Sequence, residues 1–208
     1  MTVYLYCEGA TDYAVIPFLM KKALKMPDLD VKWIKRPALK KVSLHRKSDV
    51  KISGHYKFVK ALAAFSSREG VKHIAYHQDA DGQYSEIYNA ITSEFRPLEG
   101  KGFRCLAIVP KEMIESWLLA DGNAYPAKPE RPKLPFRPEG IWGQKQNINS
   151  NYPKHYLARV LAQFGLLGAL DTYAQIAENI DIEILKNRCP ESFGQFCADI
   201  QSFRLGSQ

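Results

Sequence analysis

Val71-Lys72-His73-Ile74-Ala75-Tyr76-His77-Gln78-Asp79-Ala80-Asp81-Gly82 carries the reading of the fold. Residues 71–77 have the apolar, aromatic character of a buried strand, and the strand runs into a short acid-rich turn closed by Gly82. A helical pattern over residues 84–95 follows at once. The N-terminus repeats this order. Residues 3–7 are apolar on both strand faces, as a buried parallel strand requires. Glu8-Gly9-Ala10-Thr11-Asp12 follows, and then a helical stripe of Ile16, Leu19, Met20, Ala23 and Leu24. Thr11 is the expected N-cap of that helix, and Pro17 is expected to kink or delay its first turns.

Further strands are expected at 31–34 and 103–109, and further helices at 56–65 and over 112–120 behind Pro110 and Lys111. Alternation of this kind predicts an α/β fold, a parallel sheet flanked by helices. In such sheets ligands gather beyond the carboxyl ends of the strands, which is where the acids of this chain fall.

With 208 residues the chain is long enough for one well-buried domain with a small helical addition. No apolar run approaches the ~20 residues of a membrane span, and the first residues lack the basic start of a secretory signal. Cys7, Cys105, Cys189 and Cys197 form no C-x-x-C pair and no zinc-like cluster, so a reduced, cytoplasmic protein without membrane contact is expected.

The net charge of +7 is unevenly placed. Lys32, Lys35, Arg36, Lys40, Lys41, Arg46, Lys47, Lys51, Lys57 and Lys60 crowd one segment in which Asp49 is the only acid. The stretch 36–53 has no clear period and reads as a loop. A clustered positive field favours polyanions, and Lys40, Lys41, Arg46, Lys47 and Lys51, with Lys111, are the candidate nucleic-acid contacts. The plainer alternative is a solvated basic face.

Composition changes over 122–153. Pro126, Pro129, Pro132, Pro135 and Pro138 recur every third residue, the period of a polyproline II helix, with Lys128, Arg131, Lys133 and Arg137 beside them. A stiff connector is the simple reading, and a docking strip the sharper one. Residues 154–205 carry three helical stripes: Leu157, Val160, Leu161 and Phe164; Ile176, Ala177, Ile180 and Ile184; and Phe193, Phe196, Cys197 and Ile200. The expected organisation is an α/β domain over 1–121, a Pro-rich connector over 122–153 and a helical extension over 154–205 packed on the sheet.

Asp79 and Asp81 are two residues apart, so on extended backbone both carboxylates face one side. Like charges that close repel unless a cation lies between them, and a hard divalent ion is the natural occupant. Asp-x-Asp is also a common turn former. Glu8 ends a different strand, and adjacent parallel strands lie about 4.8 Å apart, so it is a candidate to share the ion if the two strands are neighbours. Glu115 is an acid inside a hydrophobic helix, where a carboxylate is expensive unless paired or metal-bound. Glu112 reads as a first-turn surface acid, His77 as a packed histidine beside the cluster, and Asp121 as an acid at an unfavourable helix end.

The ordered set Glu8-Gly9-x-Thr11-Asp12 and Asp79-x-Asp81-Gly82 resembles the TOPRIM signature. More closely, the chain resembles a bacterial family of small TOPRIM-like proteins, domain of unknown function 4276. Pro110-x-Glu112-x-x-Glu115-x-Trp117-Leu118-Leu119-Ala120-Asp121, Pro153-Lys154-x-x-Leu157 and Cys189-Pro190-x-x-Phe193-x-x-Phe196 add to the likeness. That family is similar to overcoming-lysogenization-defect nucleases and to anti-phage, abortive-infection nucleases, and often lies beside an ATPase gene. The resemblance implies a TOPRIM/Rossmann-like sheet with Mg²⁺ or Mn²⁺ as cofactor. It also implies Glu8 as general acid/base, Asp79 and Asp81 as ligands, and Glu115 as an additional acidic ligand.

The function expected on this basis is metal-dependent hydrolysis of DNA or RNA, with all four acids at the catalytic site. Its expected partners are nucleic acid, an AAA- or ABC-type ATPase and a second copy of the chain. The alternative is a non-catalytic docking or regulatory subunit of the ATPase. A nucleotide-sugar transferase using Asp-x-Asp would explain neither Glu8 nor the basic segment. A topoisomerase would need a second domain with a tyrosine, and a primase would need a zinc module.

Overall fold

Alternate residues along the first strand go to opposite cores. Val3 and Leu5 join one buried cluster, while Tyr4 and Tyr6 join the other, so helices must cover both faces of the sheet. The computed structural model describes residues 1–40, 54–126, 134–135, 137–140 and 143–205, without the side chains of Lys40, Tyr56 and Leu205. Its four strands are β1 (Thr2–Tyr6), β2 (Asp30–Trp33), β3 (His73–His77) and β4 (Arg104–Ile108). They form one all-parallel sheet in the order β2-β1-β3-β4. The central pair is in register with Tyr4 opposite Ile74 and Tyr6 opposite Tyr76.

Helices α1 (Ala10–Leu24), α2 (Arg36–Lys40), α3 (Gly54–Arg68), α4 (Tyr84–Glu99) and α5 (Ile114–Leu118) accompany the strands. The C-terminal helices are α6 (Pro153–Gln163), α7 (Leu170–Asn179), α8 (Ile182–Arg188) and α9 (Ser192–Leu205). Val59 and Leu62 of α3 and Ile91 and Phe95 of α4 pack with Tyr6, Ile74 and Tyr76 on one face. On the other face, Ile16, Leu19 and Met20 of α1 share a single core with Trp117 of α5. Leu157, Ile176, Leu185, Phe193, Phe196 and Ile200 of the four C-terminal helices complete that core. Among the described residues no helix is long and apolar enough to cross a membrane, and all four cysteines are free thiols.

Several local readings are corrected. The N-cap of α1 is Gly9, not Thr11, because the Asp12 carboxylate folds back to accept from Gly9 N at 2.9 Å. The helix then runs unbroken through Pro17. Residues 36–40, expected as loop, form α2, while the remainder of the basic stretch lies outside the described residues. The helix expected over 112–120 is confined to Ile114–Leu118, because Met113 is extended (φ −155°, ψ 169°). The stripe through Ile176, Ala177, Ile180 and Ile184 is split between two helices. Asp181 breaks it by capping α8, accepting from Glu183 N at 2.8 Å and Ile184 N at 3.2 Å.

The connector and the tail are held by buried polar contacts. Asp121 is buried and accepts from Asn123 N (2.8 Å) and Asp181 N (3.0 Å), which explains an acid at that helix end. Arg188 donates to the carbonyls of Ala120 and Pro135. Glu139, also buried, takes the first amides of α9, from Glu191 (3.0 Å) and Ser192 (2.8 Å), and bonds the Ser192 hydroxyl. A carboxylate at that position suits the helix dipole. Of the five prolines in threes, Pro129 and Pro132 lie outside the described residues, as do Lys128, Arg131 and Lys133.

Candidate functional site

β1 leads to α1 on one face of the sheet, and β3 leads to α4 on the other. The loops after these two neighbouring strands therefore part at their carboxyl ends, which is the topological switch point of the sheet. Gly9–Asp12 borders it on the β1 side and Gln78–Gly82 on the β3 side. The second loop is pinned by backbone bonds: Ala80 N to Pro110 O at 3.2 Å, Asp81 N to Glu112 O at 3.0 Å and Gly82 N to Lys111 O at 3.0 Å. Asp81 (φ 44°) and Gly82 (φ 83°) are both left-handed, so the chain turns sharply there, with an Asp and a Gly as the residues that tolerate it.

His77, 1% exposed, is the centre of the buried part. Its Nε2 lies 3.3 Å from Asp79 Oδ1, and its Nδ1 lies 3.7 Å from Asp12 Oδ2. Neither contact has hydrogen-bond geometry, so the attraction is chiefly electrostatic. Burial opposes a charge on His77, yet the carboxylates of Asp79, Asp12 and Glu115 outweigh it and raise the imidazole pKa. Asp12 is itself held above the ordinary carboxylate range, by burial first and then by Asp79, with His77 pulling the other way. Asp79 Oδ1 also accepts from Ile114 N at 3.1 Å, fixing the start of α5.

Glu115 sits in the first turn of α5 and is 5% exposed. Burial pushes its carboxyl up to about 7, and the charge of Asp79 adds to the effect, with a smaller contribution from Asp12. Lys154 works in the opposite direction. The structure thus gathers Asp12, His77, Asp79 and Glu115 within mutual electrostatic reach, with Lys154 of α6 beside them.

The other expected site residues fall elsewhere. Glu8 is exposed, and its charge acts on Tyr6, Tyr76 and His55, the α3 side of the sheet. Asp81 is exposed at the rim, where it accepts from the Tyr152 hydroxyl at 3.2 Å and lies 3.8 Å from Lys145 Nζ. Glu112, read as a surface acid, is buried, and burial and Asp81 raise its pKa. Lys111 pairs with Glu191 at 2.7 Å. Lys41, Arg46, Lys47 and Lys51 lie outside the described residues, and so does the side chain of Lys40.

Spacing along the chain did not point to Asp12, Lys145 or Tyr152. Asp12 had a signal only as the last residue of the Glu8-Gly9-x-Thr11-Asp12 set. Tyr152 meets Asp81 across 71 positions of sequence, a distance at which no periodicity speaks. Lys154 had a signal in the Pro153-Lys154 pair.

Among the described residues no three His, Cys, Asp or Glu side chains stand grouped closely enough to hold a metal ion by themselves. The coupled carboxylates Asp79 and Glu115 are a smaller donor set. It suits Mg²⁺, which commonly takes one or two protein carboxylates and keeps waters or substrate oxygens for its remaining positions.

Fold and site together define a doubly wound α/β protein with an acidic, histidine-centred cluster at its switch point. Compared with protein families, with curated proteins and with solved structures, the chain matches none of them.

Proposed function

We propose that the switch-point cluster hydrolyses phosphodiester bonds in DNA or RNA with the help of Mg²⁺ or Mn²⁺. This is the activity that the TOPRIM resemblance implies, in the setting of anti-phage defence. The observation that carries the reading is Glu115, a nearly buried carboxyl pushed up to about 7 by burial and then by Asp79. Acids so placed are costly unless a cation joins them. Asp79 and Glu115 would hold the ion. When bound, Mg²⁺ supplies a Lewis acid for a phosphoryl oxygen.

The chain's own residues do the rest. His77 turns one ring nitrogen to Asp79 and the other to Asp12, so a proton taken up there offsets the charge of both carboxylates. Ile114 N–H donates to the same Asp79 oxygen, Oδ1, that His77 faces. Lys154 offers a positive charge to a non-bridging phosphate oxygen. Glu8, on the tyrosine side, is not assigned the general-base role that the resemblance implies.

One observation favours a second reading, a non-catalytic subunit that docks a partner ATPase. Asp79 already caps α5, and Asp81 is already held by Tyr152 and Lys145, so both acids have structural work. Asp79→Asn separates the two, because the amide oxygen keeps the bond from Ile114 N and only the charge is lost. Calorimetric titration with Mn²⁺ and cleavage assays on DNA and RNA should show binding and cleavage in the wild type and neither in Asp79→Asn. An Asp79→Asn protein that still binds metal and cleaves would overturn the assignment, and absence of both in the wild type would favour the docking subunit.

A further inference from the structure

At the carboxyl ends of β1 and β2, beside the acidic cluster, two sets of aromatic rings each carry a cation, Tyr13 and Trp33 against the α1-side core and Phe58 with Tyr6 against the α3-side core. Trp33 closes β2, and its indole N–H donates to Cys7 O at 3.2 Å across the end of β1. Tyr13, from the first turns of α1, stacks on Trp33 with centroids 5.1 Å apart and planes within 18°. Its hydroxyl donates to Val31 O at 2.9 Å. The polar ends of both rings are therefore committed to the fold, and both rings are half-buried at the rim. Lys35 Nζ lies 4.7 Å from the Trp33 centroid. The next residue, Arg36, sets its guanidinium 5.1 Å from Phe58, which stacks on Tyr6 at 5.1 Å. Lys35 and Arg36 are exposed.

We infer that this edge is a platform for single-stranded nucleic acid, with bases stacking on the Tyr13–Trp33 pair and backbone phosphates meeting Lys35 and Arg36. It deepens the phosphodiesterase reading by naming the form of its substrate. Only a single strand exposes base faces to stack, and stacking with tracking cations is how sequence-tolerant strand binding is built. A duplex would offer phosphates and groove edges, with base faces open only at its two ends. The rings are locked by their own hydrogen bonds, so little side-chain freedom is lost on binding. Lys35, on a flexible stem, is able to exchange the indole face for a phosphate as a base arrives.

The test uses full-length Asp79→Asn protein in EDTA, so that binding is read without cleavage. Fluorescence anisotropy would follow labelled oligothymidylate, oligouridylate and a blunt duplex of equal length. The expected result is that at least one single strand binds roughly tenfold or more tightly than the duplex, and that Trp33→Ala weakens it by about tenfold. Lys35→Ala/Arg36→Ala, at two exposed positions where the fold is not at stake, should flatten the log–log salt slope by about 1.4, or ~0.7 for each charge. Equal or tighter binding of the duplex overturns the inference, and so does an unchanged salt slope in the double variant. Strand binding of this kind in a wild-type protein that cleaves nothing with Mg²⁺ would refute the nuclease reading and leave the platform standing.

Discussion

Replacing Glu115 by Gln should make the metal-free protein more stable, and the gain should depend on pH. In the folded protein the Glu115 carboxyl titrates near 7, against an ordinary value of 4.5, because it is buried and faces Asp79. Between these two pH values the folded state keeps a proton that the unfolded chain has released. Stability contributed by this group is therefore complete below about 4.5 and is lost as pH rises towards 7. At 1.36 kcal/mol per pH unit, the loss at pH 8 has a ceiling of about 3.4 kcal/mol. Glutamine is nearly isosteric and carries no such proton, so the variant escapes the loss. For a chain of this size, 1 kcal/mol moves Tm by about 2–4 °C, which puts the largest expected gain near 7–14 °C at pH 8. Thermal melts in EDTA at pH 5 and pH 8, wild type beside variant, would measure it. The reasoning fails if Glu115→Gln is no more stable than wild type at pH 8, or if the gain is the same at both pH values. Adding Mg²⁺ should narrow the gap by stabilising only the wild type.

Two further outcomes concern the connector and the core. Glu139→Ala should cost about 3 kcal/mol in urea unfolding, since it strands two α9 amides and the Ser192 hydroxyl in a buried place, and Glu139→Gln should cost less. Trp117→Ala should cost about 3–5 kcal/mol through the cavity it leaves beside Phe193 and Phe196. Because Ser192 also accepts from the Trp117 indole at 2.9 Å, these two substitutions should combine non-additively in a double-mutant cycle.

The strands were legible in the sequence because their signal is local. The four strands were placed to within one or two residues. β1 and β3 are buried on both faces as their composition requires, while the edge strand β2 leaves Asp30 and Lys32 exposed. The acid-rich turns that follow β1 and β3 were legible for the same reason, since each directly follows an apolar run. Which acids meet was not legible. Side-chain parity continues past the end of β1, so Glu8 follows Tyr4 and Tyr6 to the α3 side, while Asp12 is carried back to His77 by the first turn of α1. Helix α5 was overdrawn because its start is set by a side chain 35 positions away, the Asp79 carboxylate on Ile114 N. Asp121 looked misplaced because its partner, Asp181 N, lies 60 positions further on.

The core that α1 shares with α7 and α9 has a consequence for the birth of the protein. Within this sequence β1 and α1 are made long before the helices that cover them. Between Leu24, where α1 ends, and Ser192, where α9 begins, lie more than 160 residues. At ~5–20 residues per second this is a wait of roughly 8–34 s. Over that interval Ile16, Leu19 and Met20 gain their cover in instalments, from the strands, then α5 and α6, then α7, and their burial is complete only when α9 is made.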